Sequence, residues 1–440
     1  MKSNVAESES GEIADTMTDG RGVVRSPGKT VFVHGAIKGE TVKFVRRKKK
    51  RNYDEAELLE ILVAAPERVE PLCEYFGLCG GCSLQHISPA QQLVLKQSVL
   101  LESLQRIGSV QPDRVLQPIA EDAWAYRRKA RLAVKHVQKK GRVLIGFRER
   151  NKPYVADMLH CETLHPSIGG AIEALSEFVG ELSIHDRIPQ IETAVGDNGT
   201  AMIFRVLDPP SAADLERFAR FQASQGVQIY LQEKGPESVR PLTGEPAPEA
   251  LFYDIPGFNV SIQFTPTDFL QVHAQVNLRM IDQAVELLEP QADLRVLDLY
   301  CGLGNFTLPL ATLAKEVHGV DFDEDMIARA RGNARRSGTE NVSFYQGDLS
   351  RPMDNPALSW DGYDLVVLDP PRTGSPELMD VLGQMQARRI LYVSCHPGSL
   401  ARDAGNLVHT QGYSLAAAGV LDMFPQTSHL ESMALFELRG

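Results

Sequence analysis

Long hydrophobic runs are missing from this 440-residue chain: no stretch reaches the roughly eighteen apolar residues of a bilayer-spanning helix, so no membrane partner is expected. Cysteine is scarce, six in all, too few for the disulfide scaffold of a small secreted protein; a reducing cytoplasm is the expected compartment. Residues 1–19 lack an apolar core segment and hold Glu7, Glu9, Glu12, Asp15 and Asp19, which reads as a disordered acidic tail rather than a signal peptide. A positive balance is missing too, the formal net charge being −11, and taken alone that argues against a polyanion partner.

What is present changes that reading. The hydrophobic share of 43% is ample for ordinary cores, and the length suits about three domains. The charge is unevenly spread: residues 20–52 hold eleven Lys or Arg against Glu40 alone, including the run 46–51, and residues 124–150 hold ten against Glu149 alone. Two such blocks in an acidic protein suggest surfaces built for phosphates.

Short β-prone runs at 30–33, 40–45 and 56–63, separated by Gly and charged turns, predict a small five-stranded oligonucleotide-binding barrel. Gly20-Arg21-Gly22-Val23-Val24 and Val31-Phe32-Val33-His34-Gly35-Ala36-Ile37-Lys38-Gly39-Glu40 resemble the TRAM domain that precedes some RNA-modifying enzymes. Next come Cys73, Cys79 and Cys82, and far downstream Cys161. Four thiolates can close a metal site. A zinc ribbon normally shows two Cys-x-x-Cys pairs and only one is present, so the spacing leans to a [4Fe–4S] cluster over zinc, although it does not itself pair Cys161 with the trio. Periodicity predicts a helix over 88–108 with Ser88 as its cap. The region 165–260 reads as alternating helices and strands, among them a helix near 214–223 and strands at 201–206 and 226–231, with little chemistry.

From residue 271 the pattern becomes strict α/β alternation. A helix over 271–288 leads to a strand at 294–300 and then to the loop Cys301-Gly302-Leu303-Gly304-Asn305. Strand, glycine turn and helix form the context of a nucleotide-type ligand site, and a second strand ends about twenty residues on in Asp321, where a ribose would want a carboxylate. The third glycine of a dinucleotide fingerprint is absent, which points to a ligand without a pyrophosphate, S-adenosylmethionine. Further strands end in Asp348 and in Asp369-Pro370-Pro371-Arg372. The run 389–394 ends in Cys395, before His396-Pro397-Gly398 and a new helix, an arrangement expected to lower the thiol's pKa. For transfer to carbon 5 of a uracil, a thiolate adds at carbon 6 to activate carbon 5, and a base then removes the carbon-5 proton. Cys395 suits the first role, and Glu431, at the start of a final apolar strand, suits the second.

Together Phe269-Leu-Gln271-Val, Asp298-Leu-Tyr-Cys-Gly-Leu-Gly-Asn305, Asp369-Pro-Pro-Arg372, Val393-Ser-Cys395-His-Pro and His429-Leu-Glu431 resemble the RNA uracil carbon-5 methyltransferases, in particular the iron–sulfur branch that acts on 23S ribosomal RNA. The resemblance covers nearly the whole chain. It implies Cys395 as nucleophile, Glu431 as base, a pocket for cofactor and target base lined by Gln271, Tyr300, Asn305, Asp321, Asp348 and Asp369, and cluster ligation by Cys73, Cys79, Cys82 and Cys161. The family more often has Phe, Glu and Asn where this chain has Tyr300, Asp321 and Asp348, so cofactor contacts there are open to change. The expected architecture is a Rossmann-like methyltransferase domain at 266–440, a TRAM/OB-fold barrel at 20–66 and a central α+β domain at 67–265 carrying the cluster, in a monomer with no protein partner. Three other readings stay open: a transfer-RNA methyltransferase; an amine methyltransferase of the Asp-Pro-Pro-Tyr type, which would need no cysteine; and a non-enzymatic RNA-binding assembly factor.

Overall fold

The computed structural model describes residues 8–26, 28–242, 249–352 and 360–440. It divides into two compact units: one comprises the described residues up to Val99 with Arg148–Ala156 and Phe424–His429, the other Leu100–Phe147, Asp157–Met423 and Leu430–Gly440. Among the described residues no helix is long and apolar enough to cross a membrane.

The first unit holds strands β1 (Ser8–Glu12), β2 (Asp15–Thr16), β3 (Arg21–Ser26), β4 (Lys29–His34), β5 (Thr41–Lys49) and β6 (Tyr53–Val63), in one sheet of order β1-β5-β6-β4-β3-β2. Alternation of apolar and polar residues aims Val31, Val33, Val42, Phe44 and Ala56 into a core with Ile13 and Val24. The disordered tail expected at 1–19 is therefore corrected over its described part. Ser8–Glu12 pairs antiparallel with Thr41–Val45, and the acids of the tail meet bases further along: the Arg46 fork closes on Glu9, Nε to Oε1 at 2.8 Å and Nη2 to Oε2 at 2.7 Å. Residues 1–7 lie outside the described residues. The same pairing alters the meaning of the first basic block. Arg46 also binds Asp54 at 2.9 Å, Arg47 binds Glu57 at 2.6 Å, Lys48 lies 3.5 Å from Glu55 and Lys29 2.7 Å from Asp54. Strand β6 thus answers β5 with acids, and the exposed remainder of the run is Lys49, Lys50 and Arg51 at the hairpin turn.

The second unit adds β7 (Arg114–Val115), β8 (Lys129–Val137), β9 (Arg142–Gly146), β10 (Gln190–Val195), β11 (Thr200–Arg205), β12 (Gln228–Gln232), β13 (Arg240–Pro241), β14 (Leu251–Ile255), β15 (Val260–Phe264), β16 (Arg295–Leu299), β17 (Glu316–Asp321), β18 (Val342–Gln346), β19 (Leu365–Leu368), β20 (Arg389–Ser394), β21 (Tyr413–Leu421) and β22 (Glu431–Leu438). One sheet runs β13-β12-β11-β10-β8-β9, covered by the helix Ile172–Gly180 and by Ala212–Gln225, which starts at a reciprocal Ser211–Asp214 capping box. Phe178, Phe204, Phe218 and Phe221 interlock between these layers. Four of the ten bases of the second basic block are committed to acids here: Arg128 to Asp197, Arg131 to Glu192, and both Lys140 and Arg142 to Asp157.

The remaining large sheet runs β18-β17-β16-β19-β20-β22-β21-β7. Strands β16 to β20 are parallel; the central β16, β19 and β20 are buried on both faces and mainly apolar, as parallel strands covered by helices must be, while the edge strand β18 is partly exposed. The chain leaves β16 for β17 and β18 on one side and returns to β19 on the other, which opens a crevice at the carboxyl ends of β16 and β19. The hairpin β14–β15 packs on this layer, since Gln263 N–H donates to Asn333 Oδ1 at 2.9 Å and Asn333 Nδ2 donates back to Gln263 O at 3.2 Å. It also binds the turn between β10 and β11, Asp197 N–H donating to Phe252 O at 2.7 Å and Asp254 N–H to Asp197 Oδ2 at 2.9 Å.

Candidate active site

The loop after β16 needs left-handed backbone at Tyr300 (φ +64°), Gly302 (φ +54°) and Gly304 (φ +93°). Glycine adopts this freely, whereas Tyr300 carries strain of about 1–3 kcal/mol that its surroundings must hold. At the end of β17, Asp321 fixes the loop by accepting from Gly302 N–H at 3.0 Å and from Asp323 N–H at 3.1 Å. Asn305 is locked in a reciprocal amide pair with Asn277, at 3.0 and 2.9 Å, and accepts from the Tyr253 hydroxyl at 3.0 Å. A pocket opens at the crevice between Tyr253, Leu270, Gln271, Tyr300, Gly302, Asn305, Met326 and Asp369, with Gln271 Nε2 donating to Asp369 Oδ2 at 3.4 Å. Four of the six expected lining residues meet there; Asp321 stands one layer behind, and Asp348 is exposed, accepting from Ser350 N–H at 3.0 Å and its hydroxyl at 2.6 Å.

The reacting groups come from the next strands. Antiparallel pairing of β20 with β22 runs from Arg389↔Glu437 to Ser394↔Ser432, so one further step of the ladder sets Cys395 opposite Glu431. Facing positions of such a pair have Cβ atoms about 5 Å apart. Asp369 directly follows β19, the other neighbour of β20. Cys395 is half-buried and Glu431 buried. Burial and the charge of Asp369 push Glu431 well above the usual carboxylate range, with Arg372 opposing, and burial pushes Asp369 up as well. A buried carboxyl, Glu431, and a half-buried one at the pocket wall, Asp369, resist double ionisation. The expected lowering of the Cys395 pKa is overturned: burial raises it, Glu431 and Asp369 raise it further, and Arg372 only partly opposes them. The start of the following helix, Pro397–His409, does not outweigh a desolvated thiol beside two carboxyls. Cys301 is fully buried and its thiol is pushed up by burial and by Asp298 and Asp321, which leaves Cys395 the better-placed sulfur of the two.

A buried network beneath this site was not foreseen. The hydroxyls of Tyr300 and Ser375 lie 2.6 Å apart, and Asp403 accepts from Ser375 N–H at 2.9 Å, from Tyr392 O–H at 2.7 Å and from Arg402 Nε at 2.8 Å. Neither Ser375 nor Asp403 stands in a motif. Asn277 did leave a signal, a polar residue on the buried face of the helix Ala274–Leu288 among Val276, Met280, Ile281 and Ala284.

In the first unit Cys73, Cys79 and Cys82 share one tight loop: Phe76 N–H donates to Cys73 O at 3.0 Å, Cys79 N–H to Tyr75 O at 2.9 Å, and Gly81 N–H to Cys79 Sγ at 3.4 Å. Cys161 belongs to the second unit, where its sulfur lies 3.4 Å from Thr163 Oγ1. All four are free of disulfides. Among the described residues no group of three or more His, Cys, Asp or Glu is gathered to hold a metal ion.

A solved tRNA (uracil-54, C5)-methyltransferase of Pyrococcus abyssi in complex with S-adenosyl-L-homocysteine is 24% identical and superimposes with a TM-score of 0.74, covering 97% of this chain and 100% of that one. The fold, with the crevice and glycine loop above, is that of the S-adenosylmethionine-dependent methyltransferases. The family described as tRNA (Uracil-5-)-methyltransferase matches residues 252–439, a span that begins within the hairpin β14–β15. The 23S rRNA (uracil(1939)-C(5))-methyltransferase RlmD of Alkalilimnicola ehrlichii is 50% identical over 419 residues, 95% of this chain and 94% of that protein. Its namesake from Methylococcus capsulatus is 48% identical over 421 residues, again 95% and 94%. The chain belongs to the RNA uracil-C5 methyltransferase family.

Proposed function

We propose that this protein transfers a methyl group from S-adenosylmethionine to carbon 5 of a uridine in 23S ribosomal RNA. The observation that carries the reading is the register that sets Cys395 opposite Glu431 next to Asp369, in a chain half identical to proteins named for that reaction. Gln271, Tyr300, Asn305, Asp321, Asp348 and Asp369 would hold the cofactor and target base; the positive-φ glycines that let backbone approach a ligand, and a mainly apolar pocket wall that carries Gln271, Asn305 and Asp369 as polar groups, fit such a molecule. When bound, the cofactor supplies an electrophilic methyl group. Cys395 Sγ forms a bond to carbon 6, and its proton passes to the carboxyl pair and on to water. Carbon 5 takes the methyl group, Glu431 removes the carbon-5 proton, and the sulfur–carbon bond breaks to restore the aromatic ring and release the thiolate.

The β1–β6 sheet is read as a TRAM-type RNA-binding module whose exposed Lys49, Lys50 and Arg51 follow phosphates. The target uridine would be turned out of its stack into the pocket. Cys73, Cys79, Cys82 and Cys161 are read as ligands of a structural [4Fe–4S] cluster, a reading supported by the family resemblance and by the lack of a disulfide at any of the four; no chemical step runs through it. A monomer in the cytoplasm completes the proposal. The test is transfer of a labelled methyl group to deproteinised ribosomal RNA and, in parallel, to transfer RNA. The expected product is 5-methyluridine in 23S RNA; labelling confined to transfer RNA would move the chain to the transfer-RNA branch.

A further inference from the structure

Tyr300 differs from phenylalanine by one hydroxyl, and that hydroxyl does not face the pocket chemistry. It meets Ser375 Oγ at 2.6 Å. Ser375 is completely buried and closes the loop that begins at Asp369. The same loop is bound at three points to the helix that follows Cys395: Ser375 N–H to Asp403 at 2.9 Å, Arg402 Nη2 to Thr373 O at 2.8 Å, and Ser399 Oγ to Arg372 O at 3.0 Å. Asp403 also accepts from Tyr392, three residues before the nucleophile. The Asp369 loop and the Cys395 segment therefore form one hydrogen-bonded block, and Tyr300 reaches it from the glycine loop, on a backbone that only external restraint keeps at φ +64°.

We propose that Tyr300 is a positioning residue, a tie from the cofactor loop through Ser375 and Asp403 to the Asp369 loop and the nucleophile, so that binding on the cofactor side and binding of the target base reinforce each other. The inference rests on the proposed function for the identity of the two ligands. Its physical basis is that a loop already restrained by one ligand costs less to order for the second, and a buried hydrogen bond transmits that restraint only while both ends are present.

The test uses the full-length protein with Tyr300→Phe, Ser375→Ala and the double variant. Affinity for S-adenosylhomocysteine is measured by calorimetry with and without a 23S ribosomal RNA fragment containing the target. Wild type should bind S-adenosylhomocysteine more tightly when the RNA is present. Each single variant should lose about three- to tenfold of that enhancement, the double variant should lose no more than either single one, and thermal midpoints should stay close together. Undiminished enhancement in both single variants, or losses that multiply in the double variant, would overturn the tie. Should Tyr300→Phe fail to fold, Ser375→Ala removes the other end and decides the matter by the same enhancement. Failure of wild type to methylate ribosomal RNA would count against the proposed function instead. The affinities for S-adenosylhomocysteine alone would still test the tie: both single variants should weaken it without adding in the double variant, and wild-type affinity in both would refute it.

Discussion

Replacing Glu431 by Gln separates the two halves of the proposed reaction. The substitution keeps the side chain's size in a buried position and removes its charge. The Cys395 thiol is held up first by burial, then by Glu431 and then by Asp369, so the variant should lower the thiol's pKa while burial keeps it above an ordinary cysteine. Addition to carbon 6 becomes easier, whereas removal of the carbon-5 proton loses its base. Loss of a positioned base costs about 100- to 10,000-fold, or about 3–5 kcal/mol in barrier height. Turnover should fall by that factor while a methylated, sulfur-bound intermediate accumulates. The assay is a single turnover with methyl-labelled cofactor and ribosomal RNA, resolved under denaturing conditions, where label should stay with a protein–RNA band. The pH profile of adduct formation should rise toward alkaline pH in both proteins, with the midpoint lower in the variant. Turnover above about a tenth of the wild-type rate, with no label retained on protein, would refute the base assignment.

Burial pushes Asp298 up to about 7, above the unfolded value near 4, so its contribution to stability is complete below pH about 4 and is lost as pH rises through about 7. Asp298→Asn, which keeps an acceptor for Thr307 Oγ1, should stabilise the protein at pH 8 by up to about 4 kcal/mol, with the gain shrinking toward pH 4 in thermal melts; a constant gain would contradict the burial argument. Lys50→Ala or Arg51→Ala should each flatten the log–log salt dependence of RNA binding by about 0.7–0.9, whereas Arg46→Ala, which breaks pairs with Glu9 and Asp54, should lower the thermal midpoint and leave that slope nearly unchanged. Anaerobic purification should yield about four irons per chain, and Cys79→Ser should deplete them; stoichiometric zinc would overturn the cluster.

Much of the catalytic sheet is legible in the amino-acid sequence, because its central parallel strands are short apolar runs ended by a polar residue or proline: Leu365–Leu368 stops at Asp369-Pro-Pro, and Arg389–Ser394 stops at Cys395. What faces what is not legible there. Glu431 meets Cys395 only because β22 inserts antiparallel between β20 and β21, a long-range pairing that no local pattern encodes. The thiol's acidity runs opposite to the expectation for the same reason, since a helix start is visible in sequence and two carboxyls arriving from other strands are not. Glu9 resembles part of a tail because its partner, Arg46, lies more than thirty residues on. Ser375 and Asp403 carry no motif, and their part in the site exists only once Tyr300 is folded against them.

The account stands most directly on the identity of the attacking atom. Ribosomal RNA carrying 5-fluorouridine at the target, incubated with the protein and S-adenosylmethionine, should give a denaturation-stable complex, because fluorine at carbon 5 cannot be removed as a proton. Peptide mapping should place the RNA on Cys395, and Cys395→Ala should abolish both the complex and methyl transfer. Methylation of unmodified RNA by Cys395→Ala, or a complex mapped to Cys301, would contradict it.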